Sequence, residues 1–192
     1  MPNDYNIIEW NREFEKNKGS FNYKTDALET RSRILYPGRF YILNYKSDTK
    51  KVYNARPVII SLGVSSEHPD MFIGIDLCVM PLQIRLNFMK MFWGVYGKEI
   101  NRCLITHYDI KNVDLQPYFK DFNYANIKST NAFSPVVNAI KKYKISNTMK
   151  IYALPYERVY KVIGSFCDVD RMINGKLADV QKEFINKSLK KK

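Results

Sequence analysis

Three apolar runs in the first half of the chain carry strand signals. In "RFYILNY" (39–45) apolar and polar positions alternate, as in a strand buried on one face. "RPVIISLG" (56–63) is nearly continuous in apolar residues, which fits a central strand starting just after Pro57. "MFIGIDLCVM" (71–80) predicts a third strand, with Gly74 where the backbone must bend or approach a neighbour. Short turns punctuate the runs. Pro37 and Gly38 open the first, "KSDTKK" joins the first to the second, and "SSEHPD" joins the second to the third. Three strands so closely linked predict an α+β protein with a small antiparallel SH3-like β-barrel core flanked by helices.

The period then changes. "PLQIRLNFMKMFWGVYG" (81–97) predicts the longest helix, with Pro81 in its first turn and Gly97 at its end. Gln83, Asn87, Lys90, Gly94 and Gly97 fall on one narrow stripe, and the other positions are almost all apolar. A helix of that kind packs on more than one side. Its Met and aromatic positions read as core. Arg85 lies about 200° round from Gln83, among apolar residues, and needs a partner there. It reads either as an anion-binding arginine or as a structural brace to Asp76, the nearest acid in the preceding strand.

The flanks are helical in pattern. Ile7, Trp10 and Phe14 mark one face of "DYNIIEWNREFEKNKG", with Asp4 as cap and Gly19 beyond the end. "DLQPYFKDF" (114–122) and "SPVVNAIKKYK" (134–144) predict helices, the second capped by Ser134 with Pro135 in its first turn. "NTMKIYALP" (147–155) predicts a returning strand. "DVQKEFINKSLKKK" (179–192) predicts an amphipathic helix, marked by Val180, Phe184 and Leu189, fading into a lysine tail. The chain divides into a helix or arm at 1–35, a β-barrel core with packed helices at 36–178, and a basic helix and tail at 179–192.

Charge sharpens this picture. The chain carries +12 in total. Residues 139–192 hold 13 Lys+Arg against 5 Asp+Glu, a balance of +8, and the first 138 hold 18 against 14. A basic end suits a polyanion, an acidic protein surface, or solubility alone. The candidate contacts are Lys187, Lys190, Lys191 and Lys192, with Lys141, Lys142 and Lys144, where Tyr and Lys interleave. The 14 Tyr and 11 Phe favour large packed surfaces, internal or between subunits.

Catalytic signals are sparse. His68 sits in a turn, and His107 precedes Asp109 in "THYDI", a pair able to orient a general base. Ser61, Ser65 and Ser66 lack a nucleophile-elbow context. Cys78, Cys103 and Cys167 are odd in number and widely spaced, so they read as buried free thiols rather than disulfides or zinc ligands. No metal, cofactor or catalytic residue is expected. No apolar run approaches the roughly 20 residues needed to span a bilayer. The start of the chain lacks the layout of a secretory signal.

Residues 36–98 resemble a class of small virion proteins of tailed bacteriophages. Pro37, Gly38, Tyr41, Pro57, Gly74, Ile75, Leu77, Pro81 and Arg85 carry the likeness, and "ALPYERVYKVIGSF" (153–166) is similar to a late element of the same class. Asp76 stands where that pattern has Asn. The resemblance implies a non-enzymatic virion component made in the host bacterial cytoplasm. It would act as a ring-forming oligomeric subunit or adaptor at the neck or tail, among other virion proteins, or lie with the packaged DNA. "ARPVIISLG" is also similar to MazF-like toxin barrels. That likeness implies an endoribonuclease in which Arg56 supports cleavage together with Ser61 or Thr106. A basic RNA- or DNA-binding module is the third reading.

Overall fold

The computed structural model describes residues 12, 15–16, 21–22, 27–30, 35–106, 122, 126–127 and 136–189. The chain is a mixed α+β protein. Strands β1 (Leu28–Thr30), β2 (Phe40–Tyr45), β3 (Tyr53–Asn54), β4 (Val58–Val64), β5 (Met71–Asp76), β6 (Ile140–Lys144), β7 (Thr148–Leu154) and β8 (Met172–Ile173) are joined by helices α1 (Leu82–Thr106), α2 (Val159–Gly164) and α3 (Leu177–Leu189). Six strands form one antiparallel sheet in the order β1–β7–β2–β4–β5–β6, and β3 pairs with β8 alone.

The first turn forms as Pro37 and Gly38 dictate. Gly38 has φ +78°, which a side chain would resist, and the Arg39 N–H returns to the Tyr36 carbonyl. β2 was expected to be buried on one face. It is buried on both, because alternate residues enter two different cores. Phe40 and Ile42 join Val58, Ile60, Ile73 and Ile75 on the face covered by Phe88, Met89, Phe92 and Trp93 of α1 and by Val162, Ile163 and Phe184. Tyr41 and Leu43 join Ile59, Phe72, Tyr143 and Ile151 on the opposite face. Gly74 lies under Ile59 in that second core, where a Cβ would meet Ile59 Cδ1 at 2.9 Å.

This second core is made by the sheet curling on itself. β2 and β6 stand three strand spacings apart in the sheet order, roughly 14 Å if the sheet were flat. The rings of Tyr45 and Tyr143 nevertheless meet edge to face at 5.2 Å. The 3-10 turn Ile145–Asn147 carries β6 directly into β7. The curl does not close into a barrel. Both edges of β7 are occupied, one by β1 and the other by β2, so β6 finds no place beside it.

Other expectations need correction. Residues 134–144 do not form a helix: Val136–Ala139 make one 3-10 turn, and Ile140–Lys144 are an edge strand. α1 runs past Gly97 to Thr106, and Gly97 is buried against the Trp93 indole one turn back, 3.0 Å from Cδ1 to an added Cβ. β1, in the segment read as an arm, pairs with β7, and α3 begins at Leu177 with Phe184 in the main core. The helices expected at 4–19 and 114–122 lie outside the described residues, apart from helical positions 12 and 15–16 and the single residue Phe122. No helix among the described residues is long and apolar enough to cross a membrane.

Candidate functional site

Arg85 and Asp76 are not paired with each other. The Arg85 side chain is 0 % exposed in the first turns of α1. Its Nε donates to the Leu77 carbonyl at 2.8 Å, Nη1 to Ile163 O at 2.7 Å, and Nη2 to Met80 O and to Asp168 Oδ1, both at 2.8 Å. One guanidinium thus ties α1 to the turn before it and to the segment after α2. Four of its five N–H groups are engaged inside the fold and the side chain is fully buried, so it acts as a joint of the structure.

Asp76 has a different task. It caps the 3-10 turn Leu77–Val79, with Oδ1 accepting from the Cys78 N–H at 3.0 Å and Oδ2 from the Tyr143 hydroxyl at 3.2 Å. Burial pushes its carboxyl up to about 6, against the pull of the Cys78 N–H, Lys141 and Tyr143. Burial, with Asp76 close by, also raises the Tyr143 hydroxyl well above its usual range. Cys78 and Cys167 are buried free thiols, and burial lifts that of Cys78. The side chain of Cys103 lies outside the described residues.

The basic candidates separate. Lys141, Lys142 and Lys144 are exposed on edge strand β6, not on a helix. Lys142 pairs with Glu67 at 2.8 Å, Lys144 with Asp48 at 4.0 Å, and Lys187 with Glu183 one turn back on α3. Lys141 alone of these has no ion-pair partner among the described residues. Exposed pairs of this kind bind weakly, so these lysines remain available to a stronger anion. α3 lies beside the start of β6, where Asn138 Nδ2 donates to Ser188 Oγ at 3.1 Å, so Lys187 neighbours the β6 group. Lys190, Lys191 and Lys192 lie outside the described residues.

A cleft of about 290 Å³ opens between the 46–54 loop, β6 and α3. Tyr45 and Tyr53 form part of its wall, Asp76 and Tyr143 its buried floor, and Lys51 and Lys141 are exposed beside it. Sequence reading missed it, because the loop looked like a simple hairpin turn. The remaining signal was the Tyr–Lys interleaving of "KKYK", which places Tyr143 inward and its lysine neighbours outward.

The catalytic candidates disperse as well. Ser61 is 0 % exposed, donates its hydroxyl to Leu35 O at 3.2 Å and accepts from the Gly63 N–H at 3.1 Å. Arg56 is exposed, with its backbone N–H held by Asn54 Oδ1. His68 is exposed in its turn; His107, Asp109 and the Thr106 side chain lie outside the described residues. No group of three or more His, Cys, Asp or Glu able to hold a metal occurs among the described residues. No family model matches the chain, and no curated protein or solved structure matches it.

Proposed function

We propose that this chain is a non-enzymatic structural component of a tailed-phage virion, serving as a ring or adaptor subunit at the neck or tail. One observation carries the reading: the residues bearing the likeness to virion proteins act as joints of the fold. Gly38 permits the entry turn, Gly74 admits Ile59, and Arg85 draws together α1, its preceding turn and the chain after α2. A shared pattern made of joints marks a shared scaffold. The strand succession β7–β2–β4–β5–β6, with a 3-10 turn between β6 and β7, supports an SH3-like organisation for that scaffold. The exposed apolar side chains Val52 and Ile173, on or beside the β3–β8 ladder, offer surface for neighbouring subunits.

The test is composition. Mass spectrometry of purified particles should find the chain at a fixed copy number, and light scattering of the isolated protein should report an oligomer. A monomer missing from every particle would rule the reading out.

A second reading, a nucleic-acid-binding module, is favoured by the lysines of β6 and the neighbouring Lys187. It is compatible with a place near a packaged genome. The ribonuclease reading draws no support from Ser61, whose buried hydroxyl is committed to the fold. RNA incubated with the protein should stay intact, and Arg56→Ala should change nothing.

A further inference from the structure

The cleft over Asp76 joins three kinds of group. Its floor is a carboxylate 2 % exposed, each oxygen accepting one hydrogen bond and keeping a second lone pair. Its wall carries two half-buried phenol rings, Tyr45 and Tyr53, packed edge to face at 6.0 Å. Beside it stand Lys51 and Lys141, both exposed and neither in an ion pair among the described residues. The volume lies at the lower end of small-molecule sites, enough for one planar ring with its substituents.

We infer that this cleft takes one nucleotide unit. The base rests on Tyr45 and Tyr53, its exocyclic amine donates to Asp76, and its phosphate lies against Lys51 and Lys141. Each part follows from the group facing it. Aromatic side chains are platforms for bases. A carboxylate accepts from the exocyclic amine of cytosine, adenine or guanine, whereas thymine and uracil have no exocyclic amine and offer only a ring N3–H flanked by two carbonyls. Lysines meet phosphate as point charges. A free nucleotide and an unpaired residue of a strand present the same chemistry. The inference rests on the nucleic-acid contact of the second reading and does not require a place in a particle.

The test is a titration of the full-length protein followed by the backbone amides in two-dimensional NMR. CMP should shift amides of residues 45–54 and 141–143, and UMP should bind about tenfold more weakly. Inorganic phosphate at the same millimolar concentration should leave them unmoved. Asp76→Asn should erase the preference for CMP. The double variant Lys51→Gln/Lys141→Gln should weaken both nucleotides about tenfold, and it keeps the test open should Asp76→Asn fail to fold. A short oligo-dC that binds the same amides more tightly than CMP assigns the site to a strand. Binding of CMP with exclusion of the oligonucleotide assigns it to a free nucleotide. The inference falls if no nucleotide shifts these amides, if phosphate alone reproduces the shifts, or if the preference survives in Asp76→Asn. A lysine-rich peptide that shifts them where nucleotides do not overturns it in favour of a protein partner. None of these outcomes alters the particle composition that tests the virion reading.

Discussion

Arg85 Nη2 donates to Asp168 Oδ1 at 2.8 Å and joins residues 83 apart in sequence. The same guanidinium also donates to three buried carbonyls, so its removal takes a hydrogen bond from four acceptors at once. Arg85→Met should cost about 3–5 kcal/mol of unfolding free energy, and Arg85→Lys should not rescue it, because one ammonium cannot span the four acceptors. Asp168→Asn should cost only about 1 kcal/mol, since that carboxylate is 39 % exposed. Urea denaturation of the three variants measures the order. Equal losses would mean that the carbonyl contacts contribute little.

Asp76 gives a pH signature. Its carboxyl is raised from 3.8 to about 6 in the folded protein, so the folded state binds protons more tightly than the unfolded chain. The stability it contributes is fully present below pH 3.8 and is lost as pH rises through about 6. The span corresponds to about 3 kcal/mol. Asn keeps the cap to the Cys78 N–H without the buried charge. Asp76→Asn should therefore gain stability over wild type between pH 4 and pH 7, read as a widening gap in chemical-denaturation midpoints. A gap that stays constant across that window would show that Asp76 titrates normally.

Gly74→Ala should be destabilising by about 1–3 kcal/mol, because the new methyl enters the van der Waals shell of Ile59. An added Cβ would lie 2.9 Å from Ile59 Cδ1 and 3.0 Å from its Cβ. Ile59→Val removes only the first of these clashes. A double-mutant cycle should show partial relief, with a favourable coupling between the two changes. Strict additivity would mean that the strain is relieved elsewhere.

Replacing Lys141, Lys142, Lys144 and Lys187 with Gln should flatten the slope of log affinity for DNA against log salt by up to about four units. Filter binding across a salt series measures it. An unchanged slope would remove both β6 and α3 from any DNA contact.

Much of the architecture was legible locally. The runs at 40–45, 58–64, 71–76 and 148–154 had apolar patterns bounded by turn residues, and all became strands. β6 was not legible as a strand. Val136, Ile140 and Tyr143 recur at helical spacing, and only Tyr143 is buried within the strand, so five residues could not reveal a period of two. The exposed lysines around it are the usual protection of a sheet edge. Helix α1 outran Gly97 because that glycine is a packing position within the helix, where a Cβ would meet the Trp93 indole one turn back, and not a stop. The apolar neighbours of Arg85 show that it needs a partner, but its acidic partner, Asp168, lies beyond α2 and not in the preceding strand. The third strand ends at Asp76 and not at Met80, because Asp76 also caps the 3-10 turn Leu77–Val79. The cleft was invisible because its walls come from segments about 90 residues apart, 45–54 and 141–143.

The place of β7 between β1 and β2 also sets a schedule for biogenesis. Phe40 pairs with Leu154, so β2 has no neighbour on that side until the chain has grown past residue 154. The β2–β4–β5 meander can form early, from contacts close in sequence. During synthesis it presents the bare edge of Phe40–Tyr45, an apolar strand suited to pairing with the same strand of another nascent chain. Ribosomes crowded on one message would bring such edges together. The edge therefore stays bare from the completion of β5 until β7 has been made.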